Sequence, residues 1–164
     1  MLVDEALSAG LPPPQLRAGR EHRTSRTILV AEDSPDNRLV IAAYLRHEPY
    51  QIDFAVDGKQ ALEKFIANLY DLVLMDIQMP EMDGLATTRA IRQWESEYGR
   101  VPTQIVALTA YALEEDIRRA LSAGCNLHIS KPIIKQVLID CLHKATQVGA
   151  TSEEHCYPRT PYYS

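Results

Sequence analysis

Two kinds of apolar pattern alternate along the chain. Thr27-Ile-Leu-Val-Ala31, Leu72-Val-Leu-Met75, Gln104-Ile-Val-Ala-Leu108 and Leu127 to Ser130 are short apolar runs of strand length. Such runs, bounded by turn signals, read as strands buried on both faces. Tyr50 to Val56 reads as a further strand, with Ile52, Phe54 and Val56 alternating against Asp53. Between the strands the spacing becomes helical. Ser34-Pro35 opens a first helix, since Ser34 can cap and proline suits the first helical position. It runs to about Arg46, and Leu39, Val40, Ile41, Tyr44 and Leu45 offer a face to bury. Asp57-Gly58 turns the chain into a second helix carrying Ala61, Leu62, Phe65, Ile66 and Leu69. A third follows Asp83-Gly84, with Thr87, Ala90, Ile91, Trp94 and Tyr98 on one face, and a loop around Pro102 follows it. A fourth sets Leu113, Ile117, Ala120 and Leu121 inward and closes at Gly124. The last, from about Ile133 to Ala145, buries Ile134, Val137, Leu138, Cys141, Leu142 and Ala145.

Strand and helix thus alternate five times across short connections. The pattern predicts an α/β domain over residues 27–145, a parallel sheet with helices on both faces. Residues 1–26 contain Pro12-Pro13-Pro14 and then Arg17, Arg20, Arg23 and Arg26 without apolar periodicity, and read as a flexible linker. Residues 146–164 are polar and proline-containing and read as a flexible tail.

Composition narrows the function classes. A length of 164 residues at 46% apolar suits one domain with tails. A formal net charge of -5 gives nucleic acid no electrostatic invitation. No apolar run approaches the ~18 residues of a membrane span. The start, Met1-Leu-Val-Asp-Glu5, is acidic where a secretory signal is basic. Cys125, Cys141 and Cys156 form no metal-ligand or redox motif and read as reduced thiols, which places the protein in the cytoplasm.

The chemistry lies at the strand ends. Ligands of doubly wound parallel sheets bind beyond the carboxyl ends of the strands. Those ends carry Glu32-Asp33, Asp76, Thr109 and Lys131. Three carboxylates brought together repel one another, and a hard divalent cation removes the conflict. Mg²⁺ takes a few carboxylates and keeps several waters. A carboxylate can also act as a nucleophile and form an aspartyl phosphate. Phosphoryl transfer then asks chiefly for positioning and charge neutralisation. Lys131 can neutralise, since a charge pair at ~4 Å contributes about 4 kcal/mol at an effective dielectric near 20. Thr109 offers a hydroxyl, and backbone N–H groups after Asp76 and Thr109 offer further donors. Taken singly, the acid pair could be solvated, Lys131 a surface lysine and Thr109 a helix cap. Their common position at the strand ends favours a single site.

The set Glu32-Asp33, Asp76 within Leu-Met-Asp-Ile-Gln-Met-Pro-Glu-Met-Asp-Gly, Thr109-Ala110 and Lys131-Pro132 resembles the receiver domain of two-component response regulators over about residues 27–145. The resemblance implies a flavodoxin-like (βα)5 fold, a five-stranded sheet of order 2-1-3-4-5. It implies that Asp76 accepts phosphoryl from a phosphohistidine of a histidine kinase or histidine phosphotransfer protein. Mg²⁺ would be held by Asp33, Asp76, the Gln78 carbonyl and water, with Glu32 acting mostly through water. A cis Lys131-Pro132 bond is implied too, as is a face for a downstream partner formed by residues 113–123, the strand at His128 and residues 133–145; a homodimer is left open. The acid pair, the Met-Asp-Ile-Gln-Met-Pro run and the loop before Pro102 are most similar to receivers attached to hybrid histidine kinases. With no output segment after residue 145, the expectation is a stand-alone receiver or the receiver portion of such a kinase.

One position departs from the family. The switch pairs the hydroxyl at Thr109 with Tyr or Phe three residues before the lysine, and here that residue is His128. Imidazole is smaller, polar and titratable, so the two expectations are a weaker or pH-sensing switch and a histidine that faces solvent. Two other classes compete. An aspartate-nucleophile phosphatase wants an acid two residues after the nucleophile, where Gln78 stands. A phosphorylation-independent pseudo-receiver is disfavoured because every acceptor residue is present. Dinucleotide binding is excluded because no Gly-x-Gly follows the first strand.

Overall fold

A computed structural model describes residues 25–111 and 113–147. Five strands, β1 (Arg26–Ala31), β2 (Tyr50–Ala55), β3 (Leu72–Asp76), β4 (Gln104–Thr109) and β5 (Leu127–Ser130), alternate with five helices. The helices are α1 (Pro35–Leu45), α2 (Gly58–Ala67), α3 (Gly84–Glu97), α4 (Glu114–Ala123) and α5 (Lys135–Gln147). All pairings are parallel and the strand order is 2-1-3-4-5, as the resemblance implied. The flexible segments expected at 1–26 and 146–164 fall outside the described residues except at their inner margins. There Arg26 already begins β1, and Thr146 and Gln147 still belong to α5.

Strand periodicity divides the interior in two. Ile28 and Val30 of β1, Leu72 and Leu74 of β3, and Val106 and Leu108 of β4 face Ile41 and Leu45 of α1 and Leu138 and Leu142 of α5. Their neighbours Leu29, Val73, Met75 and Ile105 face the other way, onto Leu62 and Phe65 of α2, Ile91 and Trp94 of α3, and Ala120 of α4. Both faces of the central strands are therefore dry, as continuous apolar runs require.

Three helix starts carry side-chain caps. Ser34 Oγ accepts from Asn37 N at 3.4 Å, Asp57 Oδ1 from Gln60 N at 2.7 Å, and Asp83 Oδ1 from Ala86 N at 2.8 Å. Asp57-Gly58 is thus a helix start rather than a plain turn. Gly58 is required by space: a Cβ there would run into the Met82 carbonyl and the Thr87 hydroxyl, because α2 begins against α3. At the end of α4, Gly124 adopts φ 114° and its N–H reaches Leu121 O at 3.0 Å.

Several inward assignments are overturned. Leu39 and Val40 are exposed, and α1 buries only the i, i+4 pair Ile41 and Leu45. Leu113 caps α4 from outside and is exposed; Leu121 is exposed too, because the small Ala120 and Ala123 form the buried stripe. Ile134 precedes α5 and is exposed, while Ile133 turns inward in its place. Tyr98 and Val56, at the ends of their elements, are likewise exposed. Cys125 and Cys141 are buried and form no disulfide among the described residues, and burial pushes the Cys125 thiol above its ordinary range. Cys156 lies outside the described residues.

Candidate functional site at the carboxyl edge of the sheet

Because all five strands run the same way, their carboxyl ends share one edge. Glu32 follows β1, Asp76 ends β3, Thr109 ends β4 and Lys131 follows β5. β1 and β3 are neighbours, so the acid pair and Asp76 meet. Carboxylate oxygens of Glu32, Asp33 and Asp76 lie within 4.8 Å of one another. Glu32 is 0% and Asp76 2% exposed, whereas Asp33 stands in solvent.

Two of these acids share one cation. Lys131 Nζ lies 2.9 Å from Glu32 Oε2 and 3.0 Å from Asp76 Oδ2. The other oxygens are held by backbone: Ser34 N donates to Glu32 Oε1 at 3.1 Å, and Gln78 N to Asp76 Oδ1 at 3.1 Å. The loops are tied to the sheet as well. Ile77 N donates to Leu108 O at 3.1 Å, and Lys131 N to Thr109 O at 2.7 Å. The Lys131-Pro132 bond is cis.

The electrostatics are unbalanced toward negative charge. Burial, foremost, and the Glu32 charge push the Asp76 carboxyl up to about 7, against the opposing pull of Lys131 and the Gln78 N–H. Burial presses Lys131 downward, but its hydrogen bonds to Glu32 and Asp76 outweigh this and hold the ammonium above its ordinary range. A hard-oxygen donor set with one solvent-facing member fits Mg²⁺, which would take the carboxylates and keep water on its open side. Thr109 adds a directed polar group: it is 3% exposed, and its Oγ1 has no hydrogen-bond partner among the described residues. A buried hydroxyl in that condition is an acceptor or donor waiting for one more group.

His128 is 3% exposed, so the solvent-facing expectation does not hold. It pairs in register with Ala107, and Thr109 with Ser130, which places His128 and Thr109 on the same face of the sheet. Gly84 packs so closely on the end of β3 that a Cβ would strike the Asp76 carbonyl and approach Ile77 Cα at 2.8 Å. The Asp83-Gly84 pair therefore both caps α3 and lets it close over the loop after Asp76. A cavity of about 230 Å³ opens beside Thr109, between Ile77, Gln78, Leu85, Tyr111 and Arg119. It is below the usual size of a small-molecule site.

One residue of the site was not foreseen. Arg38 of α1 donates from Nη1 to the carbonyl oxygens of both Glu32 and Asp33, at 2.9 Å each. Its only sequence signal is an arginine in the first turn of a helix, where the dipole disfavours a cation.

A doubly wound domain with an acidic, lysine-closed rim is thus defined by its fold and edge. The chain belongs to the response regulator receiver domain family, which matches residues 28–143. Among curated proteins it is 38% identical over 151 residues to the sensor histidine kinase GacS of Pseudomonas protegens, covering 90% of this chain and 16% of that protein. It is 37% identical over 129 residues to the sensor protein EvgS of Escherichia coli, covering 79% and 10%. The chain therefore spans less than a fifth of the length of these relatives. Among solved structures, the receiver domain of sensor histidine kinase PA1611 from Pseudomonas aeruginosa superposes with TM-score 0.68 at 36% identity, covering 76% of this chain and 99% of that one. That structure has magnesium coordinated in its active-site cleft. The receiver domain of Ssk1, solved with the histidine phosphotransfer protein Ypd1 of Saccharomyces cerevisiae, matches with TM-score 0.73 at 26% identity, covering 83% and 99%. The chain is a two-component receiver domain, similar to those of hybrid histidine kinases. No helix among the described residues is long and apolar enough to cross a membrane.

Proposed function

We propose that Asp76 is the phospho-acceptor of this receiver, taking the phosphoryl group from a phosphohistidine on a kinase or histidine phosphotransfer protein. The observation that carries this is the meeting of Asp76 with Glu32, Asp33 and Lys131 at one sheet edge, with the Asp76 carboxylate held on both oxygens. An Asp76 oxygen attacks phosphorus, the P–N bond breaks, and the electron pair leaves with the imidazole, which recovers a proton. Lys131 neutralises charge on the transferring oxygens, and the Thr109 hydroxyl hydrogen-bonds one of them. Asp33, Asp76 and the Gln78 carbonyl would hold Mg²⁺, with Glu32 acting through water. Bound there, the ion supplies positive charge to the phosphoryl oxygens and lowers the proton affinity of Asp76.

No general acid stands two residues after Asp76, only exposed Gln78 with its N–H on the Asp76 carboxylate, which supports storage of the phosphoryl group rather than phosphatase turnover. Tyr111, Leu113, Leu121 and Ile134 leave apolar surface exposed around α4 and the start of α5. We assign that face to the downstream partner, with His128 buried beneath it as part of the switch. The setting is cytoplasmic. Intact-mass measurement with acetyl phosphate and Mg²⁺ tests the assignment: the protein gains one phosphoryl group and Asp76→Asn gains none. An unmodified wild type, or an equally modified Asp76→Asn, overturns it.

A further inference from the structure

We infer that Arg38 is the positioning residue of the metal-ligating turn, setting the affinity for a divalent cation without touching the cation. The inference rests on the metal site proposed above. Its observation is the bridge from one guanidinium nitrogen to the carbonyl oxygens of both consecutive acids, Glu32 and Asp33, at 2.9 Å each.

The arrangement is unusual in two respects. A cation in the first turn of α1 stands against the helix dipole, so the position is not explained by helix stability. The guanidinium also ignores the carboxylates beside it and takes the backbone behind them. Its charge is therefore not spent on the carboxylates, of which Glu32 and Asp76 are shared by Lys131. Glu32 has further anchors, since its side chain meets Ser34 N and Lys131. Asp33 has an exposed side chain, and the bond from Arg38 to its carbonyl fixes the backbone from which that side chain projects. Arg38 is itself half-buried, so the bridge is partly shielded from water.

Two effects oppose each other. A positive charge near the site repels a second cation, which weakens metal binding. Fixing the Asp33 backbone removes freedom that the cation would otherwise have to restrict, which strengthens it. Arg38 is bound directly to carbonyl dipoles that offset its charge, whereas the positional effect acts on a ligand itself. Loss of a group that orients a metal ligand typically weakens affinity by about 10- to 100-fold. Because Arg38 orients backbone rather than the carboxylate, the lower end, about tenfold, is expected.

The experiment is calorimetric titration of the protein with MgCl₂, comparing wild type, Arg38→Ala, Arg38→Lys and Asp33→Asn. Urea unfolding of each in EDTA checks the fold. Arg38→Ala should weaken Mg²⁺ binding about tenfold while unfolding close to wild type, and Arg38→Lys should recover most of the affinity. Acetyl-phosphate labelling of Arg38→Ala should be slow at low Mg²⁺ and return to the wild-type rate at saturating Mg²⁺. If Arg38→Ala binds as tightly as wild type or tighter while Asp33→Asn loses binding, the inference fails and the metal site stands. If wild type binds no Mg²⁺, both fail. Should Arg38→Ala unfold, Arg38→Gln, which keeps a donor without charge, carries the same test: affinity at or above wild type overturns the inference, and an intermediate affinity supports it.

Discussion

Replacing Asp76 with asparagine should make the metal-free protein more stable. Around Asp76 stand two carboxylates with oxygens within 4.8 Å and one ammonium at 3.0 Å. At an effective dielectric of 20, the Glu32 repulsion costs about 3.5 kcal/mol and the Lys131 attraction returns about 5.5 kcal/mol, while exposed Asp33 is screened by water. Burial of the charge outweighs that balance. The Asp76 carboxyl is pushed from 3.8 up to about 7. That corresponds to about 4 kcal/mol for the fully ionised group, which sets a ceiling. Asparagine keeps the shape and loses the charge, so a gain of about 2 kcal/mol is expected, or about 8 °C in Tm for a domain of this size. The sign with pH follows from linkage. The native state holds a proton on Asp76 between about pH 4 and 7 where the unfolded chain does not, so wild-type stability falls as pH rises through that window. The advantage of Asp76→Asn is therefore full above pH 7 and fades toward pH 4. Mg²⁺ should narrow or reverse it, because a cation bound to the native state stabilises the protein with the complete ligand set more. Urea unfolding in EDTA and in MgCl₂ at pH 5 and pH 8 reads all of this. An asparagine variant no more stable than wild type in EDTA at pH 8, or a gap indifferent to Mg²⁺, would refute the reasoning.

Gly84→Ala should force the Asp76 carbonyl away from α3, destabilising the protein by about 1–3 kcal/mol and slowing acetyl-phosphate labelling about 100-fold; labelling at the wild-type rate contradicts the close approach. Arg92 bonds Glu95 Oε2 at 2.6 Å and Gly124 O at 2.9 and 3.0 Å, so Arg92→Ala strands a buried carboxylate at a cost of about 3–5 kcal/mol in urea unfolding, part of which Glu95→Gln in the same chain restores. Burial presses the Asp53 carboxyl upward, but bonds from Lys64 and Tyr70 at 2.6 Å outweigh it and hold the group below its ordinary range. Asp53→Asn should therefore cost about 1 kcal/mol at neutral pH, discounted because the pair is partly exposed, and the cost should vanish as pH falls below the carboxylate range; a pH-independent cost would refute it.

The residues that could be read in sequence were those whose position is set by the chain itself. Asp76 ends an apolar run and must sit at a sheet edge; the same holds for Glu32, Thr109 and Lys131, and the structure brings all four together. What was hidden depends on partners far away or on size. Arg38 looks like any helical arginine until the turn folds back beneath it. Glu95 reads as solvated, yet its Oε1 accepts from Thr103 N at 2.7 Å and the residue is buried. On α4 the inward assignment of Ala120 holds but that of the larger Leu121 does not, because Ala123 completes the buried stripe; before α5, Ile133 rather than Ile134 turns inward, because helical spacing defines a stripe but not which way the stripe faces.

At the amino edge of the sheet, the guanidinium of Arg26 donates to the Thr146 carbonyl at 2.6 Å. The first strand and the last helix of the domain thus meet at one spot, on the side away from Asp76. A fold with adjoining entry and exit behaves as a cassette. It can be spliced between two segments of a longer polypeptide without prising them apart, and its old ends can be joined and new ones cut in a surface loop. The rim stays turned outward in either arrangement, so the acidic edge is equally open in a freely diffusing protein and a tethered one.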